Sequence, residues 1–169
     1  VFQVLLGEFF QEYYDNESWE IDQRTNINNQ DFAQIETWSK LDFKNFLSKN
    51  YSELEAEKSA LKLIKMAKYK EIFYNVENLD YFPTLFDWNS SQQIKFLKDT
   101  QFFTPNELKA NHPKINEIFD ELISQNSGNS KLYFHHEKLN YNCEFTNCKD
   151  KLAQLQTLFN SSTEGDYKI

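Results

Sequence analysis

Apolar residues recur at helical spacing along most of this chain, and this periodicity constrains its fold more than any other feature. In residues 1–15 the spaced residues are Phe2, Leu5, Leu6, Phe9, Phe10, Tyr13 and Tyr14. A second set is Ile115, Ile118, Phe119, Leu122 and Ile123. Both patterns are typical of amphipathic helices. Since β-branched residues rarely alternate with polar ones, strand signals are scarce, and the sequence predicts a mainly α fold.

The length of 169 residues fits one domain, and no linker rich in Pro, Ser or Gly divides the chain. We predict a single helical domain over residues 1–160, an irregular bundle of about six to eight helices. A frayed C-terminal tail is expected at residues 161–169. A short strand pair near residues 131–145 stays open.

Several local signals predict where helices begin. Thr at the N-cap, Pro at N1 and Glu at N3 predict a helix start at Thr104–Glu107. Ser52–Glu55 has the pattern of a capping box, and good helix formers after it predict the longest helix at 53–74. Pro113 is expected to open a further helix. Residues 75–89 look irregular, because Pro disfavours helix at the residue before it.

Charge is unevenly distributed along the chain. The net charge is −8, and residues 1–42 hold nine acidic and two basic residues, a net charge of −7. An acidic chain with a pI near 4.9 is repelled by nucleic acid. Arg24 is the only arginine, which argues against bidentate readout of phosphate or guanine. We therefore expect no nucleic-acid partner.

Hydropathy and the start of the chain bear on location. The mean hydropathy is −0.73, and no apolar run approaches the ~18 residues that indicate a membrane-spanning helix. No charged segment followed by an apolar run and a small-residue cleavage site opens the chain. We expect no membrane partner and a cytoplasmic location.

The scarcity of glycine excludes most familiar catalytic motifs. The three glycines, Gly7, Gly128 and Gly165, are far apart, whereas phosphate-binding loops and nucleophile elbows need glycines close together. None of the three histidines has the i, i+4 spacing of a zinc metalloprotease helix. The sequence favours a protein that is not an enzyme and has no cofactor.

Four residues with side chains that bind zinc lie near the C-terminus: His135, His136, Cys143 and Cys148. Their spacing differs from that of familiar zinc fingers, which favours two unpaired structural thiols over a metal site. Three alternatives stay open. These are a Cys143–Cys148 disulfide, which would indicate an oxidising compartment, a zinc site, and a small enzyme that uses Cys with His.

The acidic N-terminal quarter also carries aromatic residues. Carboxylates and aromatic rings together predict a surface that binds a basic protein. Carboxylates would steer association, and the rings would anchor it. The predicted partner-binding residues are Glu8, Glu12, Tyr13, Tyr14, Asp15, Glu17, Trp19, Glu20 and Asp22. The simpler alternative is a solvated helix face followed by a loop.

The stretch from Leu5 to Asp15, LLGEFFQEYYD, and the following Trp19–Asp22, WEID, carry a family resemblance. Residues 5–22 resemble the opening of helical immunity proteins from bacterial contact-dependent growth inhibition systems. In that family a leucine-glycine pair leads into an aromatic, Gln and acidic segment. Membership would imply a stoichiometric inhibitor, not an enzyme, that occludes a toxin domain. The acidic surface favours a basic nuclease as that toxin.

A structural or adaptor subunit of a larger assembly is the alternative function. Its docking surface would be the lysine-rich helix Lys58–Lys70 or the aromatic segment Tyr81–Trp88. An exposed apolar segment of that kind would mark an interaction site. A small Cys/His enzyme or zinc protein is the third possibility.

Overall fold

The computed structural model describes residues 1–26, 31–73 and 79–144, together with 153–154, 156–157 and 160. The helices are α1 (Phe2–Ile21), α2 (Lys40–Ala56), α3 (Lys58–Leu61), α4 (Leu85–Leu97), α5 (Pro105–Gln125) and α6 (Gly128–Cys143). Short 3₁₀ turns form at Phe32–Thr37, Met66–Tyr69 and Leu79–Tyr81. No strand is present in these ranges; Lys65 and Thr84 form one isolated bridge. The prediction of a mainly α bundle is confirmed.

Two helix pairs make up most of the fold. Helix α1 packs along α2, and α5 packs along α6. Helix α4 lies between the pairs, because it contacts α5 as well as α1 and α2. The outward side of α1 is therefore on the periphery of the bundle.

The core consists of two adjoining apolar clusters. One joins the second half of α1 to the first half of α2 and is largely aromatic, with Phe10, Tyr14, Trp38, Phe43 and Phe96 all buried. The other fills the space around α4, α5 and α6 and contains Leu85, Ile115, Leu122 and Phe134. Burying this many large apolar side chains supplies the main driving force for folding.

Three capping boxes fix the starts of α2, α4 and α5. In each, the hydroxyl of the N-cap residue accepts from the N3 amide, and the N3 carboxylate accepts from the N-cap amide. The pairs are Ser39 with Asp42, Thr84 with Asp87, and Thr104 with Glu107. The helix start predicted at Thr104–Glu107 is confirmed.

The capping box predicted at Ser52–Glu55 is wrong. Helix α2 runs through this segment and ends at Ala56, and the expected long helix at 53–74 is replaced by α3 and the 3₁₀ turn Met66–Tyr69. Leu54 continues the buried stripe of Phe43 and Leu47 at helical spacing, so the segment belongs to the helix that starts at Ser39. Ser52 lies exposed in the middle of that helix.

Two further boundaries differ from the sequence prediction. Pro113 lies inside the continuous helix α5 and does not open a new one. It is on the exposed side of α5, where the carbonyl that Pro leaves without a donor one turn earlier faces solvent. Helix α4 begins at Leu85, within the segment expected to be irregular, because Thr84 and Asp87 form a buried capping box.

The strand pair left open near residues 131–145 is not formed in the described part of that segment. Residues 131–143 belong to α6, and the burial of Ser130, Phe134 and Tyr141 follows helical spacing. The predicted tail at 161–169 lies outside the described residues.

Candidate functional site

Helix α1 carries all but one of the predicted partner-binding residues, and Asp22 is its C-cap. Its inward side consists of Val4, Gly7, Phe10, Gln11 and Tyr14. Helical geometry places the opposite side at Phe2, Phe9, Glu12, Trp19 and Glu20, and all five are exposed. The rotation of α1 therefore decides which predicted residues a partner can reach.

Close packing against α2 fixes that rotation. Gly7 lies so near α2 that an added Cβ would be 2.6 Å from Nδ2 of Asn50. Asn50 donates through Nδ2 to the carbonyl of Gln3 at 3.4 Å. The Tyr51 hydroxyl donates to Oε1 of Gln11 at 3.1 Å. These buried contacts hold the Gly7 side of α1 inward.

Glu8 contacts α4 and is only partly accessible. The indole Nε1 of Trp88 donates to Oε2 of Glu8 at 3.2 Å. Burial raises the pKa of the Glu8 carboxyl, and the negative charge of Glu12 acts in the same direction, while the Trp88 hydrogen bond opposes them. Glu8 therefore ties α1 to α4, and its charge is less available to a partner than the sequence predicted.

Asp15 and Asp22 form ion pairs within the chain. Lys95 of α4 lies 3.1 Å from Asp15, and Lys40 of α2 lies 3.4 Å from Asp22. Both pairs are partly exposed, so each stabilises the fold by about 1 kcal/mol at most. Their negative charge is partly neutralised by neighbouring lysines.

The two predicted tyrosine anchors differ in accessibility. Tyr14 is fully buried, and its hydroxyl donates to Oδ1 of Asp22 at 2.8 Å. The Tyr14 ring therefore belongs to the core and is not accessible to a partner. Tyr13 is half-buried and stacks on Phe43, with ring centroids 5.8 Å apart.

The remaining predicted residues form an accessible surface. Trp19 is 77% exposed, and Glu12, Glu17 and Glu20 are exposed as well. None of these three carboxylates forms an ion pair within the described ranges. They carry negative charge that no nearby lysine offsets.

Sequence reasoning missed two residues on the same side of α1 because it assigned them to the apolar face. Phe2 is 77% exposed and Phe9 is 56% exposed. Gly7 was the sequence signal that could have revealed their exposure, because a helix glycine in close contact marks the inward side. Phe9, two positions after Gly7, and Phe2, five positions before it, then point away from the core. We call Phe2, Phe9, Glu12, Trp19 and Glu20 the outward face of α1.

A fourth exposed ring extends this apolar surface towards α2. Phe32, in the first 3₁₀ turn, is 55% exposed and lies edge-on to Phe10 and Phe46, with centroid distances of 5.6 and 5.5 Å. Phe2, Leu6, Phe32 and Phe46 line a groove of about 460 Å³. The polar residues at its edge satisfy one another, since Glu53 contacts both Gln3 and Lys49.

The zinc and thiol predictions near the C-terminus are revised. Cys143 is disulfide-bonded, so the favoured interpretation of two unpaired thiols is wrong and Cys143 offers no thiolate to a metal or a substrate. Cys148, the only other cysteine in the sequence, lies outside the described residues. His135 is half-buried and His136 is exposed. Among the described residues no group of three His, Cys, Asp or Glu side chains could hold a metal ion.

The surfaces proposed for an adaptor are only partly accessible. Phe82, Leu85, Phe86 and Trp88 are buried, so the segment Tyr81–Trp88 is core and not a docking surface. Lys58 and Lys62 both contact Glu121, at 3.0 and 2.6 Å. The hydrogen bond that Lys58 donates to Glu121 raises the pKa of Lys58.

Comparisons with family models, with curated proteins and with solved structures find no match for this chain. No described helix combines the length and apolar character needed to cross a membrane.

Proposed function

We propose that this protein binds a basic protein domain through the outward face of α1 and has no catalytic activity of its own. The observation that carries the proposal is the combination on one helix side of exposed aromatic rings with carboxylates that lack a cationic partner. This surface is smaller than the one predicted from the sequence, because Tyr14, Glu8, Asp15 and Asp22 are buried or engaged within the chain.

The exposed rings support a binding role. Large apolar side chains grouped on a surface mark interaction sites, whereas isolated ones are ordinary. In the described part of the chain seven large hydrophobic residues are clearly exposed, and five of them lie on α1, the first 3₁₀ turn or the start of α2. They are Phe2, Phe9, Trp19, Phe32 and Leu41. Trp is the residue most enriched among those that dominate binding energy at interfaces.

The charge supports a basic partner. Glu12 and Glu20 lie on the outward face, and Glu17 is exposed beside it. A second copy of this chain would bring like charges together, which disfavours self-association through this surface. A basic surface would instead gain both steering and short-range pairing.

The class of partner comes from the resemblance of residues 5–22 to immunity proteins of contact-dependent growth inhibition. On that basis the partner is a toxin domain, plausibly a nuclease, and the protein neutralises it by occlusion. Cytoplasm is the compartment in which such an inhibitor would act. The disulfide at Cys143 weighs against that compartment, because disulfides persist mainly in oxidising environments.

The experiment needs the partner, which the proposal expects to be the basic C-terminal domain of a secreted protein encoded directly upstream. Stopped-flow association is measured for wild type, for the double variant Glu12→Lys and Glu20→Lys, and for Trp19→Ala. We expect the double variant to associate roughly tenfold more slowly or worse, with a weaker salt dependence. Trp19→Ala should mainly accelerate dissociation, at a cost of about 2 kcal/mol.

Matched controls separate the effect of charge on the outward face of α1 from the effect of the net charge of the protein. Glu71→Lys with Glu117→Lys gives the same net charge at exposed positions on other elements, and Leu63→Ala removes an exposed apolar side chain elsewhere. Both should bind as wild type does. Equal association rates for the two double variants would reject the proposed surface, and the absence of a basic domain encoded upstream would reject the toxin.

The adaptor alternative keeps one accessible surface. Leu63 and Ile72 are exposed, as are Lys65, Lys68 and Lys70 between them. This basic segment suits an acidic partner and is separate from α1. Loss of assembly on changing these lysines, with no effect of the α1 variants, would favour this function.

A further inference from the structure

A cavity of about 490 Å³ opens between α1, the C-terminal end of α4, and α6. Its size lies within the range of ligand pockets, roughly 300–1,000 Å³. Ile94, Phe119, Tyr133 and Phe134 form its apolar wall. Asp15, Lys95, Lys98, Asp99 and Glu137 supply its charged groups. An apolar wall opposite charged groups suits an amphipathic group with a long apolar stem.

The lysines of the cavity are already engaged. Lys95 pairs with Asp15 at 3.1 Å. The Nζ atom of Lys98 lies over the Tyr141 ring, 5.6 Å from its centroid. The ammonium groups of the cavity are thus committed to contacts within the chain.

Two carboxylates of the cavity have no such partner. Neither Asp99 nor Glu137 pairs with a Lys or Arg in the described part of the chain; Glu137 contacts only the ring nitrogen of His136, at 3.2 Å. Burial raises the pKa of Asp99 and the charge of Asp15 adds to the rise, while the hydrogen bond that the Gln101 amide donates to Oδ1 at 2.7 Å and the charge of Lys95 oppose it. Burial, together with the charge of Glu137, raises the pKa of Tyr133 to about 12. The carboxylates that line the cavity therefore carry more negative charge than its two lysines neutralise.

The cavity adjoins the outward face of α1. Asp15 lies one turn from both Glu12 and Trp19, and residues three and four apart on a helix are surface neighbours. A partner seated on Trp19 would therefore reach the cavity with a side chain of ordinary length.

We infer that this cavity receives an arginine side chain of the basic partner, with its guanidinium at Asp99 and Glu137 and its stem on the apolar wall. Arginine fits better than lysine, because its planar group can bond two carboxylates and stack on rings. The inference rests on the proposed function for the source of the arginine, whereas the binding chemistry belongs to the cavity.

The test is an NMR titration of the full chain with N-acetyl-arginine-N-methylamide, using the neutral isostere N-acetyl-citrulline-N-methylamide as the control ligand. We expect saturable shifts of the backbone amides at 98–101 and 133–137 with the arginine probe only. Glu137→Gln should weaken binding of the probe at least threefold, and Glu144→Gln, at an exposed position of the same region, should not change it.

A second measurement identifies the source of the arginine. The probe at saturating concentration should slow association of the partner domain with this protein. Absence of saturable shifts, or equal shifts with the citrulline probe, would overturn the inference. So would a probe that binds without affecting the partner, since the site would then take a free small cation. The probe titration does not involve Glu12, Glu20 or Trp19, so it can succeed or fail independently of the proposed function, whereas the competition experiment tests the source of the arginine and needs the partner.

Discussion

Carboxylates one turn apart on α1 have different roles. Glu8 accepts from the Trp88 indole and is half-buried, whereas Glu12 is exposed without an ion pair in the described chain. The two carboxylates lie four residues apart on the same side of the helix, and the difference arises because Trp88 of α4 reaches Glu8. For recognition, the contacts that a carboxylate makes within the bundle therefore matter more than the number of acids in the sequence.

Replacing Gly7 with Ala tests the packing that orients α1. The new Cβ would lie 2.6 Å from Nδ2 of Asn50, whose side chain is buried and cannot swing freely into solvent. Overpacking typically costs about 1–3 kcal/mol, and the better helix propensity of Ala returns at most about 1 kcal/mol. We expect Gly7→Ala to lower the free energy of unfolding by about 1 kcal/mol in urea denaturation.

A double-mutant cycle isolates the contact between Gly7 and Asn50. In an Asn50→Ala background the obstacle is gone, so Gly7→Ala should be neutral or stabilising there. A Gly7→Ala protein that unfolds at higher urea than wild type would show that α1 and α2 are not in close contact at this point.

The positions of single residues could be predicted from the sequence, but their partners in the fold could not. The i, i+4, i+7 stripe of Glu8, Glu12 and Asp15 was readable from the sequence. Their partners were not, because Trp88 and Lys95 come from a helix 80 residues away in the chain. The burial of Tyr14 and the exposure of Phe9 depend in the same way on which side of α1 meets α2.

At the scale of helices, one carboxylate both caps α5 and ties it to α2. Glu107 accepts from the amide and hydroxyl of Thr104, both at 2.8 Å, and from Lys44 at 2.7 Å. The hydrogen bond from Lys44, with those from Thr104, lowers the pKa of Glu107 to about 2. The ionised form is therefore the one that stabilises the fold.

This lowered pKa predicts a specific pH dependence. The ordinary value is 4.5, so the stabilisation by ionised Glu107 is complete above that pH and is lost as the pH falls towards about 2. We expect wild type to exceed Glu107→Gln in urea midpoint at about pH 7, and the gap to close near pH 2. Glu117→Gln, exposed on the same helix, is the control; a gap for Glu107→Gln that does not change with pH would contradict the account.

Helix boundaries were predictable where a cap and the core pattern agreed. The start at Thr104 met both conditions, as the buried residues Ile115 and Ile118 follow it in register. At Ser52 only the cap pattern was present. The apolar stripe that begins at Phe43 continues past this position, so the segment belongs to α2. The start of α4 was not predicted, because Pro83 indicated irregular structure. The capping box of Thr84 with Asp87 is completed by Gln125 of α5 and by the C-cap residue Asn126.

At the scale of the whole molecule, the mainly α class was predictable because periodicity and capping hold throughout the chain. The candidate site could be proposed from the sequence as a region but not as a surface. Charge arithmetic points to residues 1–42, yet only the packed bundle distinguishes carboxylates that bind lysines of α2 and α4 from those that face outward. The account's central claim is that the outward face of α1 is buried by a basic protein.

The accessibility of Trp19 tests that claim most directly. The chain has three tryptophans, and Trp38 and Trp88 are buried while Trp19 is 77% exposed. Labelling with 5-fluorotryptophan gives three ¹⁹F resonances, which Trp19→Phe assigns, and a soluble gadolinium chelate broadens only the exposed one. We predict that the unlabelled partner domain protects the Trp19 resonance from broadening. Stable binding of the partner with Trp19 still fully broadened would contradict the account.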